Sequence, residues 1–529
     1  MHSRRMESLL RFSLLLLLGW SGFAIQSTVQ ENIYQDIAWS VAKWEAIKML
    51  PRKPKEEICF ENLGCFSNDE GPMSHLDLLP QTPEEIGTQF ILDHNDPEPP
   101  ETLDPDALQN SGFRPTKPTK IIVHGFASDP NKDWITELRQ GFHENGDFNI
   151  ITVGWTDGAS SPNYIQAAVN AQVVGRQIAN FIAAAVALGS NIGDIHLVGA
   201  SLGAHVNNFV ANWLRDTHNG LKIGRITGLD AARPFFKDDP SYGLDTHLDA
   251  GDAEFVDVIH SNAGLLIAGC LGIIEPIGTV DFYPNGGSDQ PGCNNLFFGA
   301  LEDFFTGDDS YICNHHRANY FFIESLKRPQ CTYTAIPCSD LTDFEDDFVH
   351  GLGSCFTCGE GGCGQLGINA HGQSSQYLIT LHPDQEAGHC GFMWHLSIKS
   401  TELQELSTYG EFRVTLQWST GYTLGPFSIT EEDELMEKGQ AKGRVVISAW
   451  DSVPVEDPAT VILEYVAYDG WIFNGKDHWL LDTLIVKAQD GRSKQETFCA
   501  FAASTSVRST LSSGLKCLNK LCFLQAHVT

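Results

Sequence analysis

The chain has 529 residues, and its 34 Lys and Arg stand against 67 Asp and Glu, which gives a formal net charge of −33 at pH 7. Such an acidic chain is repelled by phosphate backbones and by anionic lipid surfaces, which excludes a general nucleic-acid binder and argues against electrostatic docking on membranes. Hydrophobic residues make up 42% of the chain, so it can bury large cores and global disorder is excluded. The length predicts two to four domains.

The N-terminus has the pattern of a secretory signal peptide over residues 1–24. Arg4 and Arg5 provide a basic start, residues 12–20 form an apolar, leucine-rich run, and Ala24 offers a cleavage point. A short membrane anchor is the alternative, but the apolar run is short for crossing a bilayer. We therefore expect a secreted, extracellular protein.

The 14 cysteines agree with secretion, because an even count in a secreted chain usually means disulfides. Close spacing predicts three local pairs: Cys59–Cys65, Cys293–Cys313 and Cys358–Cys363. A CxxC spacing at Cys355 and Cys358 also allows a zinc site, but no second close CxxC or His pair accompanies it.

Residues 25–55 precede the main framework. Ile33, Ala38, Val41 and Trp44 have rough helical spacing, and the basic stretch 51–55 follows them. This segment is predicted to be an N-terminal arm or a propeptide.

Residues 56–385 have an alternating strand and helix pattern. Apolar strands are predicted at 121–123, 149–153, 194–198, 223–229 and 253–260, with helices at 164–188 and 204–214. Strands that alternate with helices predict a mostly parallel sheet covered by helices on both faces. Residues 386–529 instead contain short alternating or β-branched runs with few helices, which predicts a smaller antiparallel β-sandwich domain.

The strongest chemical motif is Gly199-Ala200-Ser201-Leu202-Gly203. The motif follows an apolar strand and opens a helix, which is the position of a nucleophile elbow. Glycine at 199 and 203 would remove side-chain clashes in so tight a turn. Ser201 is therefore the candidate nucleophile, and a glycine-rich strand–helix turn is the alternative.

A serine nucleophile needs a base, and that base needs an acid to orient it. Asp230 ends the next predicted strand, which places it at the same edge of the sheet as Ser201. The residues alone leave the base open among four histidines: His260, His315, His316 and His350. The backbone N–H groups of Leu202 and Phe126 are the expected oxyanion donors, because one follows the nucleophile and the other follows the strand that ends at His124-Gly125.

These motifs together resemble the pancreatic lipase family of secreted α/β-hydrolases. The similar stretches, in the order of that family, are residues 57–66, 124–126, 199–205, 224–230, 255–260, 281–293, 313–315 and the cysteine cluster 355–363. The resemblance implies an α/β-hydrolase catalytic domain over 56–385 and a lipid-associated β-sandwich of the PLAT type over 386–529. It also implies that the base is His315, which follows Cys313-Asn314, and that His260 is structural.

The resemblance further implies a structural Ca²⁺ site and a lid. The calcium ligands would be the carboxylates of Asp249 and Asp252 and the backbone carbonyls of His247 and Leu244. The lid would span about 293–313. Four apolar lid residues, Phe297, Leu301, Phe304 and Phe305, would lie on one face of a helix that covers the site in water.

Two residues depart from the usual family pattern. Ala200 stands where digestive lipases usually carry His, and Ala231 stands where Pro usually follows the acid. The lid is also shorter than in the digestive type, which bears on substrate preference.

The function implied is hydrolysis of triacylglycerols by a carboxylester hydrolase at a lipid–water interface. Alternatives are a phospholipase A1 or galactolipase with the same triad, and a catalytically silent lipid-binding protein. A colipase-like partner is expected by analogy only.

Overall fold

The computed structural model describes most of the chain between residues 33 and 512. The described ranges are 33–94, 99–237, 239, 242–293, 310–331, 333–338, 358, 362–379, 381, 388–402, 407–430, 434–449, 460–469, 478–488, 496–504 and 509–512. The predicted signal peptide, the lid residues Phe297, Leu301, Phe304 and Phe305, and His350 lie outside these ranges.

Helices occur mainly in the first two thirds of the chain. The α-helices are α1 (Ile33–Ile47), α2 (Pro83–Ile86), α3 (Asp133–Asn145), α4 (Tyr164–Ala187), α5 (Leu202–Thr217) and α6 (Ser310–Lys327). Short 3₁₀ helices span Ser74–Leu76, Pro105–Asn110, Ile192–Asp194, Leu244–Thr246, Leu266–Ala268 and Asn285–Gly287. Among the described helices, none is both long and apolar enough to cross a lipid bilayer.

The strands divide into those of the first region and those of the second. The first region contains β1 (Glu57–Phe60), β2 (Gly64–Ser67), β3 (Gln89–Asp93), β4 (Glu101–Leu103), β5 (Thr119–Val123), β6 (Asn149–Gly154), β7 (Ile195–Ala200), β8 (Ile223–Leu229), β9 (Ala253–Ile259), β10 (Val280–Pro284), β11 (Tyr333–Pro337), β12 (Gly364–Leu366) and β13 (Gln376–Ile379). The second contains β14 (Gly391–Ser400), β15 (Thr408–Gln417), β16 (Thr423–Ser428), β17 (Leu435–Met436), β18 (Ala441–Ala449), β19 (Thr460–Ala467), β20 (His478–Ala488), β21 (Glu496–Ser504) and β22 (Ser509–Ser512).

The central sheet has the strand order β12-β11-β13-β10-β9-β8-β7-β5-β6-β3-β4. Its middle strands are parallel, whereas β3, β4, β11 and β12 run antiparallel to their neighbours at the edges. The central strands β6 and β7 are buried along their whole length, which explains their continuous apolar sequences. This is the α/β-hydrolase fold that the sequence predicts.

Helices cover both faces of this sheet. Side chains of α4 and α5 belong to one large apolar cluster, and side chains of α3 and α6 belong to another on the opposite face. Register explains where a site can form: Ala200 pairs with Leu229, and Leu229 pairs with Ile259. The residues that follow these three strands, Ser201, Asp230 and His260, therefore leave the sheet at one edge.

The second region is an antiparallel β-sandwich, as predicted. One sheet has the order β18-β14-β20-β21, and the other has the order β16-β15-β19-β22 with β17 paired to β15. Alternating residues of facing strands fill the core, among them Trp394, Phe412 and Tyr465. Pleated strands with one face in the core produce the alternating pattern seen in the sequence.

The two regions are connected by packing and by a disulfide. Tyr283, Ile336 and Leu378 of the first region pack against Met393 and Val445 of the second. The Cys331–Cys390 disulfide crosses the junction, and the carboxylate of Glu324 accepts a hydrogen bond from the His389 N–H.

The three predicted disulfides, Cys59–Cys65, Cys293–Cys313 and Cys358–Cys363, are all present. Because Cys358 is bonded to Cys363, its sulfur is not a thiolate that could bind zinc. The zinc alternative, which paired Cys358 with Cys355, is therefore wrong. Among the described cysteines, Cys270 is buried and forms no disulfide.

Candidate active site

The turn at Ser201 has the geometry of a nucleophile elbow. Ser201 joins β7 to α5 with φ 54° and ψ −118°, a backbone conformation that non-glycine residues rarely adopt. A Cβ at position 199 would lie 2.4 Å from the carbonyl oxygen of Gly203, and one at position 203 would lie 2.3 Å from that of Val123. Only glycine fits at these two positions, which is the physical reason for the motif.

Asp230 directly follows β8 and is fully buried. Its Oδ1 accepts hydrogen bonds from the N–H groups of Ser261, at 2.7 Å, and Asn262, at 3.0 Å. These two donors fix the carboxylate and leave Oδ2 to face another partner. Gly272 also packs closely here, because a Cβ at that position would lie 2.5 Å from Oδ1 of Asp230.

His315 is the partner of that second oxygen. Its Nδ1 donates a hydrogen bond of 2.6 Å to Asp230 Oδ2, and the ring is 8% exposed. His315 lies on α6, and the Cys293–Cys313 disulfide anchors the helix two residues before His315. With Nδ1 occupied as a donor, Nε2 is the nitrogen that can accept a proton.

Ser261 connects the acid to the helix that carries the base. While its N–H holds Asp230, its hydroxyl donates to the Asn314 carbonyl at 2.8 Å and accepts from the Ala318 N–H at 3.1 Å. The sequence analysis missed this residue. Its position in the sequence could have indicated it, because Ser261 comes just after β9 and β9 is the neighbour of β8, which Asp230 follows.

Ser201 and His315 line one small cavity of about 40 Å³. Phe126 and Leu271 contribute to its wall, and so does Ile37 from α1, which the sequence analysis did not place near the site. Ser201 and His315 thus face the same space, and Asp230 lies behind His315.

His260 also sits beside a carboxylate but is arranged differently. Its Nε2 lies 2.8 Å from Asp281 Oδ1, and its Nδ1 lies 2.7 Å from the carbonyl oxygen of Ile273. Both ring nitrogens are thus occupied by protein groups, so neither faces a serine. His316 lines the cavity beside His315, and burial is the main cause that lowers its pKa to about 3. Asp230 contacts His315, not these two rings.

The two expected oxyanion donors flank the nucleophile. Leu202 is the first residue of α5, so its N–H has no acceptor within the helix. Gly125 packs against the elbow, since a Cβ there would lie 2.9 Å from Ser201 Cβ, and this brings the Phe126 backbone close to Ser201. Within the described residues, neither N–H donates a hydrogen bond to another protein group.

The four residues expected at a calcium site lie in the loop between β8 and β9. Asp252 is buried, its Oδ2 accepts a 2.9 Å hydrogen bond from the Asp249 N–H, and burial followed by the charge of Asp249 raises its pKa well above the ordinary value. A buried carboxylate near a second one fits a bound cation. The carbonyl oxygen of Leu244 already accepts a 3.3 Å hydrogen bond from the His247 N–H.

Comparison with known proteins identifies the family. The family described as Lipase matches residues 56–380, more than half of the chain. The chain is 34% identical to pancreatic triacylglycerol lipase of Mus musculus over 64% of this chain and 73% of that protein. It is 36% identical to inactive pancreatic lipase-related protein 1 of Homo sapiens, over 70% of this chain and 79% of that protein. It is 35% identical to pancreatic lipase-related protein 2 of Myocastor coypus, over 68% and 77%. The resemblance seen in the motifs is therefore confirmed, and the chain belongs to the lipase family.

Proposed function

We propose that this protein is a secreted serine carboxylester hydrolase that releases fatty acids from triacylglycerols at a lipid–water interface. The observation that carries the proposal is the 2.6 Å hydrogen bond from His315 to Asp230, with the His315 ring on the same cavity as Ser201. Membership of the lipase family supports the hydrolase class, and the disulfides fit an oxidising compartment.

In the proposed mechanism, His315 Nε2 takes the proton of Ser201 as its hydroxyl oxygen attacks the ester carbonyl. The backbone N–H groups of Phe126 and Leu202 stabilise the resulting oxyanion. The protonated His315 then gives its proton to the leaving alcohol, and an acyl-enzyme remains. Water, activated by the same nitrogen, releases the fatty acid. Asp230 holds the imidazole tautomer and stabilises its charged form.

Neutral glycerolipids are the proposed substrates because one relative is named a triacylglycerol lipase. Another relative is named inactive, which keeps a silent lipid-binding protein as the competing candidate. The bonded acid–base pair and the strained serine favour catalysis over that candidate, because a protein that only binds lipid needs neither.

The β-sandwich is proposed to be a PLAT-type domain that orients the enzyme at lipid surfaces. Its support is its position after the catalytic region and its two antiparallel sheets. A colipase-like helper protein remains an analogy, since no described contact identifies a surface for it.

The functional test compares wild type, Ser201→Ala and a control, Ser160→Ala, on emulsions of triolein and of phosphatidylcholine. Ser160 is an exposed serine whose hydroxyl bonds only to its local turn. We expect Ser201→Ala to lower kcat by roughly 10⁵-fold or more while Ser160→Ala changes nothing. Faster hydrolysis of phosphatidylcholine by wild type would assign the chain to the phospholipases, and no hydrolysis of either lipid would make it a silent binder.

Calcium is proposed as a structural ion held by the carboxylates of Asp249 and Asp252 and the carbonyl of His247. The buried carboxylate of Asp252 supports the proposal, and the Leu244 carbonyl, which accepts one hydrogen bond from the His247 N–H, keeps a second lone pair for the ion. Bound calcium would supply positive charge that neutralises the two acids. Chelation should lower the melting temperature of wild type but not of Asp252→Asn. Equal stability of wild type with and without chelator would contradict the proposed calcium site.

A further inference from the structure

The N-terminal helix α1 lies before residue 56, where the family match begins, yet it is docked on the catalytic region. The Tyr34 hydroxyl donates a 2.6 Å hydrogen bond to the Leu266 carbonyl, and the Ser161 hydroxyl donates to Asp36. Near the other end of the helix, Trp44 packs edge-on against Phe235 with ring centroids 5.5 Å apart. Contacts at both ends therefore fix the position of the helix.

A line of aromatic rings connects this helix to the proposed oxyanion residue. Phe235, which Trp44 contacts, stacks on Tyr164, and Tyr164 packs edge-on against Phe126 at 5.1 Å between centroids. Trp44 is 5% exposed, and Phe235 and Tyr164 are buried. The helix thus forms part of the apolar packing around the site.

Ile33 and Ile37 are the residues of α1 that reach the catalytic cavity. They are four residues apart, so they lie on one face of the helix, and both line the cavity that contains Ser201 and His315. That cavity measures about 40 Å³. This volume holds a few water molecules, whereas pockets for small-molecule ligands measure roughly 300–1,000 Å³.

A much larger cavity, of about 590 Å³, lies next to the first. Ile37 and Ser201 line only the smaller one, and the two cavities share six residues in their walls: Ile33, Phe126, Ser128, Trp134, Ile312 and His316. Ile33 therefore stands where the two cavities adjoin. Shortening its side chain would open the space beside Ser201 toward a volume large enough for an acyl chain.

We propose that Ile33 and Ile37 are specificity-determining residues that limit the length of the acyl chain accepted at Ser201. The inference rests on the proposed esterase function, since it concerns the substrate of the same site. An acyl group with few carbons fits beside the two isoleucines, whereas a longer one has to displace their side chains, so it is hydrolysed more slowly but is not excluded. Both isoleucines belong to the N-terminal helix α1, which lies outside the residues that the family model matches.

The test measures kcat/KM on monomeric p-nitrophenyl butyrate and p-nitrophenyl octanoate for wild type, Ile33→Ala and Ile37→Ala. The matched control is Ile47→Ala, which makes the same change on the same helix at a 37% exposed position that does not line the catalytic cavity. We expect each pocket variant to raise the octanoate-to-butyrate ratio about tenfold, because a few methylenes of pocket space are worth that much in discrimination. The control should keep the wild-type ratio.

An octanoate-to-butyrate ratio that is equal in all four proteins would overturn the inference while leaving the esterase intact. Hydrolysis that is absent in wild type, or unaffected by Ser201→Ala, would instead remove the proposed function. Thermal unfolding by circular dichroism checks that each variant is folded. If Ile37→Ala is unstable, a larger side chain at the half-buried Ile33 gives a second test. Ile33→Trp should lower the octanoate-to-butyrate ratio by a similar factor, and an unchanged ratio would contradict the proposal.

Discussion

Two histidine–carboxylate pairs lie side by side in this protein, and only one of them lines the cavity that contains Ser201. His315 contacts Asp230, which follows β8, and His260, which follows β9, contacts Asp281. Their N···O distances are 2.6 and 2.8 Å, and both carboxylates are fully buried. By the contact with the carboxylate alone, the two pairs look equivalent.

The second ring nitrogen separates them. In His260 it contacts the Ile273 carbonyl, and the ring stacks on Tyr283 with centroids 4.4 Å apart. In His315 the ring lines the cavity with Ser201. A histidine–carboxylate pair is therefore a structural element when the far nitrogen is occupied, and a candidate catalytic element when that nitrogen faces a cavity with a nucleophile.

The largest effect is expected from His315→Ala. Without a base the serine stays a weak nucleophile, so kcat should fall by roughly 10⁵–10⁶-fold. The melting temperature should fall less than in His260→Ala, because the space left by the ring adjoins the cavity and lets water reach Asp230 Oδ2. The measurement is triolein hydrolysis together with thermal unfolding. Loss of activity in His260→Ala at unchanged stability, with His315→Ala active, would reverse the assignment.

The next largest effect is expected from Asp230→Asn. The Asn amide would present an N–H to His315 Nδ1 and favour the wrong tautomer, so kcat should fall by about 10⁴-fold. Ser261 and Asn262 would still be able to donate to the remaining oxygen, which limits the structural damage. Asp281→Asn is the matched control. It should reduce stability instead, because both oxygens of Asp281 accept backbone N–H groups, Oδ1 from Ile277 and Oδ2 from Gly278, so an amide nitrogen at either place would face a donor.

The sequence could predict the placement of Ser201 and Asp230, the candidate nucleophile and acid, because both depend on local rules. Glycine at 199 and 203 marks a turn that no other residue fits, and parallel register carries Asp230 to the same edge. The fold class and the three local disulfides followed from equally local patterns: alternation of strands with helices and cysteine spacing.

The choice of histidine could not be made from local sequence. His260 and His315 differ in what faces the far nitrogen, and that depends on contacts across the fold such as Ile273. Ser261 was missed for the same reason, since its hydroxyl meets α6 more than 50 residues later. The contact of α1 with the cavity could not be predicted either, because helical spacing shows which residues share a face but not what that face packs against.

A larger stability effect is expected from His260→Ala than from His315→Ala. His260→Ala would leave the Asp281 carboxylate and the Ile273 carbonyl without their partner in a fully buried site, which should cost about 3–5 kcal/mol of unfolding free energy. Protein that remains folded should retain kcat within a few-fold. Urea unfolding and activity per folded molecule measure the two effects, and a deep loss of kcat in folded protein would give His260 a catalytic role.

His205 extends the comparison to a ring with one donor and one acceptor nitrogen. Its Nε2 donates to the Ala232 carbonyl at 2.7 Å, and its Nδ1 accepts from the Leu248 N–H at 3.2 Å. Protonation would break the second bond, and burial is the main cause that lowers the pKa of this ring from 6.5 to about 3. His205 is therefore neutral in the folded protein.

The smallest expected effect, measured per pH unit, is the pH dependence that this ring produces. Above pH 6.5 the ring is neutral in both the folded and unfolded states, so its full contribution to stability is present. As pH falls below 6.5 the unfolded chain binds a proton that the folded ring refuses, and stability drops by about 1.4 kcal/mol per pH unit until the folded pKa near 3. His205→Gln should flatten the slope of urea stability against pH by that amount. An unchanged slope would show that His205 is protonated in the folded protein. The hydrogen bond from the Leu248 N–H would then break more easily than the burial of the ring indicates.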